Sequence, residues 1–324
     1  MDRAHEATDK EIERLERKIK KEYKQALSDI KGKADSYLRK FEEEDKKKKA
    51  ELELGYIFPN EYYAWRQSRI TAGKEYEALI KNISDDLVNA DKIAANIIGE
   101  RIPEVYAMNG NYEAYQMCLG AGANISFDLY DRHTVEHLID NPIFFPNVDI
   151  EKDKRWNEQK VRSAITQGIL QGEALPKIAN RLQQVTDMDD RAAARNARTF
   201  CTRAENAGRY ERYKEAEEMG LQYNKEWIST HDGRTRDTHK DKSQGGVGGE
   251  VVGIDEEFSN KLLYPGDPAG DASEVYNCRC TMRSVFVGKK SEAQEEFGKL
   301  DKDTTFEEWT EEKKHGKKDS ERNH

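Results

Sequence analysis

The chain has 324 residues, of which 36% are apolar and another 36% charged, and its mean hydropathy is −1.00. That is long enough for a sizeable core but too polar for one compact globule, so long helices and polar tail are expected to make up much of it. A net charge of −9 argues against a dedicated nucleic-acid binder, because duplex binding draws on a basic surface that displaces counterions.

No run of 18 apolar residues occurs, so no transmembrane helix is expected. The first residues carry no apolar signal core, and four cysteines make no disulfide framework, which points to synthesis in a reducing cytoplasm.

The first segment is 1–54, and residues 9–54 read as one long helix. Ile12, Leu15, Ile19, Tyr23, Ala26, Ile30, Ala34, Tyr37 and Phe41 recur at spacings of 3, 4, 4, 3, 4, 4, 3 and 4, an eleven-residue repeat. Residues 1–54 hold 16 basic and 15 acidic side chains, so Lys46 to Lys49 read as part of a solvated face rather than a phosphate site. The stripe needs a partner. It packs on its own domain or docks on another subunit, and in the second case Ile12, Leu15, Ile19, Ile30 and Phe41 are the interaction residues.

Gly55 and Pro59 end that helix and open a helical or mixed segment, 55–149. Helical spacing resumes over 61–99 and breaks at Pro103, and Gly120 and Gly122 punctuate the mixed stretch 104–139. Asn141-Pro142-Ile143-Phe144-Phe145-Pro146 is a rigid connector whose aromatics need a surface to cover. The segment 150–224 reads as a bundle of three helices, the second opening at Pro176 and the third capped by Asp189 and stopped at Gly220. Arg191, Arg195, Arg198 and Arg203 lie among acids and are expected to pair within the chain. Cys118 and Cys201, alone in helical sequence, read as small buried residues.

Segment 225–288 has few strands and many turns, a small α+β module. Lys225 to Ser229 reads as a strand containing Trp227, His231-Asp232-Gly233-Arg234 as a turn, and Tyr264-Pro265-Gly266-Asp267-Pro268 as a rigid turn. The glycine-rich stretch Gln244 to Gly249 lacks the Gly-Lys-Ser/Thr of a phosphate loop. In Asn277-Cys278-Arg279-Cys280 the cysteines are one residue apart, so in extended backbone both thiols face one side. Two simply buried thiols are one reading. The other is a structural zinc held by Cys278, Cys280 and His239, with Asp232, His231 or water as the fourth ligand. His231, Asp232 and His239 also form a candidate metal-dependent hydrolase or nuclease set, against a salt-bridged turn through Asp232 and Arg236.

The last segment, 289–324, carries 9 basic and 11 acidic residues and reads as a polar tail, with Phe306 and Trp309 supporting at most a short helix.

The Trp227-to-His239 segment, the Tyr264 turn and Asn277-Cys278-Arg279-Cys280, in this order and spacing, resemble the C-terminal module of phage minor head proteins, the Mu F-like head-morphogenesis family. The resemblance extends back to about residue 150, through Gly168 to Ala179 and Ala197 to Asn206, and is most specific over 227–283. It makes Trp227, Arg234, Arg236, Tyr264, Pro265, Asn277 and Arg279 the motif residues. Some relatives resemble C-x-x-C at the positions of Arg236 and His239, which puts Arg236 where a first cysteine would stand. The resemblance implies a non-enzymatic minor component of a tailed-phage head, made in the host cytoplasm and carried in the virion at the capsid interior or portal vertex. Portal, major capsid or scaffold proteins are its implied partners, with self-association a further option; the net charge speaks against direct DNA binding, and no membrane contact is expected. The expected fold is mainly α, with a long N-terminal helix and the small α+β module.

Overall fold

The computed structural model describes residues 2–71, 73–139 and 144–321. It is mainly α, with a long N-terminal helix and a three-stranded antiparallel sheet near the C-terminus. In chain order the elements are α1 (Arg3–Glu53), α2 (Pro59–Thr71), α3 (Lys74–Gly99), α4 (Ile102–Ala121), α5 (Arg132–Leu138), α6 (Ile150–Leu170), α7 (Leu175–Glu218), β1 (Tyr223–Ile228), β2 (Val251–Gly253), α8 (Ala272–Val275), β3 (Thr281–Phe286), α9 (Lys290–Phe297) and α10 (Phe306–Glu321).

The chain divides into two compact units, neither continuous in sequence. One comprises Glu16–Ile97 and Asn147–Ala194, the other Met1–Leu15, Ile98–Pro146 and Arg195–His324. Each therefore draws on several of the segments read from the sequence, and α1 and α7 each give residues to both.

The first unit is all helix. Ile30, Ala34, Leu38 and Phe41 of α1 pack with Tyr76, Leu79, Ile80, Ile83 and Leu87 of α3, Val161, Ala164, Ile165 and Ile169 of α6, and Ile178, Leu182 and Val185 of α7. The α1 stripe thus finds its partner within the chain: Ile12, Leu15, Ile19, Ile30 and Phe41 are all buried. Glycine brings α6 and α7 together, since a Cβ on Gly168 would stand 2.5 Å from Ile178 Cγ1. Asp189 does not cap a third helix. It lies inside an unbroken α7, because residues 186–194 keep burying one face and no Gly or Pro interrupts them.

The second unit holds α4, α5, the later part of α7, the sheet and α8 to α10. Pro103 sits at the start of α4, where its missing N–H costs nothing, and Gly122 ends that helix in the left-handed conformation, φ 64°. Of the expected connector, Asn141, Pro142 and Ile143 lie outside the described residues, while the Phe144 ring meets Tyr106 edge-on at 6.3 Å. The sheet order is β2-β1-β3, with Trp227 opposite Met282.

The C-terminal segment is more than a polar tail. Trp309 is fully buried, and its ring and that of Phe306 pack against Tyr115 of α4 at 6.0 and 5.5 Å. Two aromatic side chains dock an otherwise charged helix, because each buries far more apolar area than the average composition suggests.

Candidate metal centre in the C-terminal module

The three candidate ligands meet. A 3-10 turn, Asp237–His239, delivers the imidazole, and the residues just before β3 deliver the thiols. His239, Cys278 and Cys280 are 1, 2 and 2% exposed. His239 Nδ1 lies 3.6 Å from Cys278 Sγ and 3.7 Å from Cys280 Sγ. All three ligand atoms fall within 4.8 Å of one another. A tetrahedral zinc, with Zn–S about 2.3 Å and Zn–N about 2.0–2.1 Å, separates sulfur from nitrogen by about 3.6 Å, so the spacing suits that ion.

The other imidazole nitrogen is held as well. His239 Nε2 lies 2.8 Å from Glu274 Oε2, which also accepts from Thr238 Oγ1 at 2.8 Å. Carboxylates hold metal-binding histidines in this way, fixing tautomer and ring orientation. Trp227 stacks edge-on against His239 at 5.0 Å and against Phe258 at 5.2 Å, closing the site on its core side. The Ser229 hydroxyl donates to the His239 carbonyl. A Cβ on Gly246 would stand 2.1 Å from the Lys240 carbonyl oxygen, so the glycine-rich stretch is a tight packing loop around the histidine turn.

The Cys278 hydrogen bond holds the Cys280 thiol well below its ordinary pKa, with His239 adding to the effect. The same bond, with burial, pushes Cys278 well above. Two cysteine sulfurs beside an imidazole are a suitable donor set for a soft or borderline metal.

Helix α7 aims the cysteine segment through a ladder of polar side chains. Thr199 Oγ1 accepts from Asn277 N at 2.9 Å, Thr202 Oγ1 donates to Cys278 O at 2.8 Å, and Asn206 Nδ2 donates to Cys280 O at 3.2 Å. Asn277 takes a left-handed φ of 60°, a conformation asparagine tolerates, and Arg198 donates to its Oδ1 at 2.7 Å. One turn on, Glu205 accepts from Thr281 Oγ1 at 2.7 Å and lies 2.8 Å from His5 Nδ1. The fully buried Arg209 bonds Asp2 and Glu113, each at 2.8 Å, and the Met282 carbonyl at 3.1 Å.

The remaining motif residues brace this frame. Arg236 donates to the Tyr276 carbonyl. Arg279 pairs with Asp232 at 2.9 Å, and Arg234 reaches the same carboxylate at 3.3 Å. Asp232 is therefore engaged by arginines, and among the described residues only His239, Cys278 and Cys280 form a His/Cys/Asp/Glu group of three or more. His231 faces solvent, 3.7 Å from Asp241. Tyr264 and Pro265 are buried, and the Tyr264 ring meets Tyr210 at 5.3 Å. Sequence reasoning missed Glu274, Thr199, Thr202, Glu205, Asn206 and Arg209. Only the helical register of 199, 202, 206 and 209 hints at one polar face.

Known proteins share this part of the chain. Residues 159–283, running from α6 to β3, match the family described as phage Mu protein F like protein. The minor head protein GP7 of Bacillus phage SPP1 is 27% identical over 222 residues, 67% of this chain and 68% of that protein. NAD(+)–arginine ADP-ribosyltransferase EFV of Enterococcus faecalis (strain ATCC 700802 / V583) is 29% identical over 191 residues, 57% of this chain but only 38% of that protein. No solved structure matches. No helix among the described residues is long and apolar enough to cross a membrane.

Proposed function

We propose that this chain is a minor structural component of a tailed-phage head. In this reading it works with the portal or the inner capsid in head assembly or DNA delivery, and its C-terminal module is built around a structural zinc. The observation that carries the reading is the Mu F-like segment at 159–283, backed by a minor head relative aligned over two thirds of both chains. Burial supports a structural metal: ligands only 1–2% exposed leave little access for substrate.

The alternative hydrolase set is less well supported, because His231 and Asp232 are exposed while His239 is buried. The transferase relative is matched over 38% of its length, so its named activity stays with that protein.

Co-expression with a portal protein from the same genome tests the reading. The full chain is expected to co-elute with the portal ring, to leave DNA uncut in magnesium or zinc, and to consume no NAD(+) with arginine as acceptor. A nuclease or transferase activity that His239→Ala abolishes, in a chain that ignores portal and capsid proteins, would overturn it.

A further inference from the structure

Helix α1 ends in an exposed apolar knob and begins beside an apolar hollow. At the knob, Leu54, Tyr56, Phe58 and Tyr63 are 68, 77, 72 and 64% exposed, the four most exposed large apolar side chains among the described residues. All four fall within ten residues, in and just after the α1–α2 connection. Single exposed apolar side chains are ordinary, whereas a group of them marks a surface that meets something.

The backbone holds this group in place. Gly55 turns through a left-handed φ of 75°, Gly55 N donates to Leu52 O at 3.1 Å, and Tyr56 N donates to Glu51 O at 2.9 Å. Pro59 opens α2, and Glu61 Oε2 accepts from Phe58 N at 2.8 Å. A turn fixed on both sides presents its aromatics at little ordering cost on binding.

The hollow lies between the first turns of α1, the middle of α4 and α10. It measures about 390 Å³ and is lined by Ala4, Ala7, Met108, Tyr112 and Phe306. The Tyr112 and Phe306 rings meet there at 5.3 Å, and the two alanines leave the room. Its charged neighbours and those of the knob differ in sign. Residues 46–63 hold four lysines against three glutamates, and Lys46, Lys47 and Lys49 are exposed. Residues 306–312, the part of α10 beside the hollow, hold four glutamates and no base. Arg3 and Lys314 offset Glu307 and Glu311, each at 2.6 Å, while Lys313 turns its amine onto the Ile125 carbonyl at 2.7 Å. Glu308 and Glu312 remain in excess.

Knob and hollow thus match in polarity and in charge. They belong to opposite ends of one unbroken 51-residue helix, which cannot fold back on itself. We infer that the chain associates with itself head to tail, the Tyr56 and Phe58 rings of one copy entering the α1–α4–α10 hollow of a second. Such a contact joins two different faces, so it builds rings or open chains rather than closed pairs.

Sedimentation of the full chain from about 1 to 200 µM tests this. The wild-type mass should rise above 37.4 kDa as concentration grows. Tyr56→Ser with Phe58→Ser removes the knob, and Ala7→Phe fills the hollow. Each should keep its helical circular dichroism and weaken association about tenfold or more. Should Ala7→Phe lose helicity, Glu308→Lys with Glu312→Lys closes the hollow by charge instead. Mixed together, the knobless and the closed variants should pair one to one and stop there, because one still offers a hollow and the other a knob. A wild type that stays monomeric throughout overturns the proposal, even if the knob binds another protein or a membrane. So does a knobless variant that associates like the wild type. A mixture that stays monomeric, or that grows beyond pairs, overturns it as well.

Discussion

His239 carries two tasks in one ring: Nδ1 faces two sulfurs and Nε2 faces the Glu274 carboxylate. Purified full-length protein is therefore expected to carry about one zinc per chain by elemental analysis. Cys280→Ser or His239→Ala should lose it. Glu274→Gln should keep the fold but weaken zinc roughly 10–100-fold in competition with a chelating dye, because it loosens the imidazole rather than removing a ligand. Equal zinc affinity in the Glu274→Gln protein would leave Glu274 a mere surface contact. His5 gives a second test at this scale. Burial opposes its imidazolium, but the Glu205 carboxylate more than compensates, raising the pKa from 6.5 to about 9. A raised histidine contributes its stability in full below about pH 6.5 and loses it as pH climbs through about 9. Between pH 7 and about 9.5 the wild type should lose roughly 1–3 kcal/mol more than His5→Gln in chemical denaturation. Parallel pH profiles would show that the His5–Glu205 pair holds no proton.

Among the elements, α1 makes the sharpest energetic claim. Ile19 and Ile30 are 0 and 1% exposed, and Ile30 belongs to the core of the all-helical unit. Ile30→Ala should cost about 2–5 kcal/mol, and Ile19→Asp with Ile30→Asp should unfold that unit, seen as lost helical circular dichroism. A fully helical double variant that merely failed to assemble would contradict the packing. Trp309→Ala should free α10, with a cost of about 3–5 kcal/mol and faster amide exchange over 306–315. The long helix was legible because its 3-and-4 spacing runs unbroken from Ile12 to Phe41. The course of α7 was not, because Asp189 looks like a cap in sequence and only its inward placement reveals otherwise. The docked tail was hidden by composition, since two aromatics among many charges decide it. In the site, the i, i+2 geometry of Cys278 and Cys280 was readable locally. Glu274 and the α7 ladder were not, because bonds across 35 and 76 residues leave no periodic trace.

At the scale of the whole molecule, the chain is mainly helical, builds its two units from three and two separate stretches of sequence, and matches the Mu F-like family over a segment that includes a buried His/Cys/Cys group. The most direct measurement is quantitative mass spectrometry of purified virions and proheads of the phage that encodes the chain. The protein is expected in both, substoichiometric to the major capsid protein. Its complete absence from virions and proheads alike would contradict a role in the head.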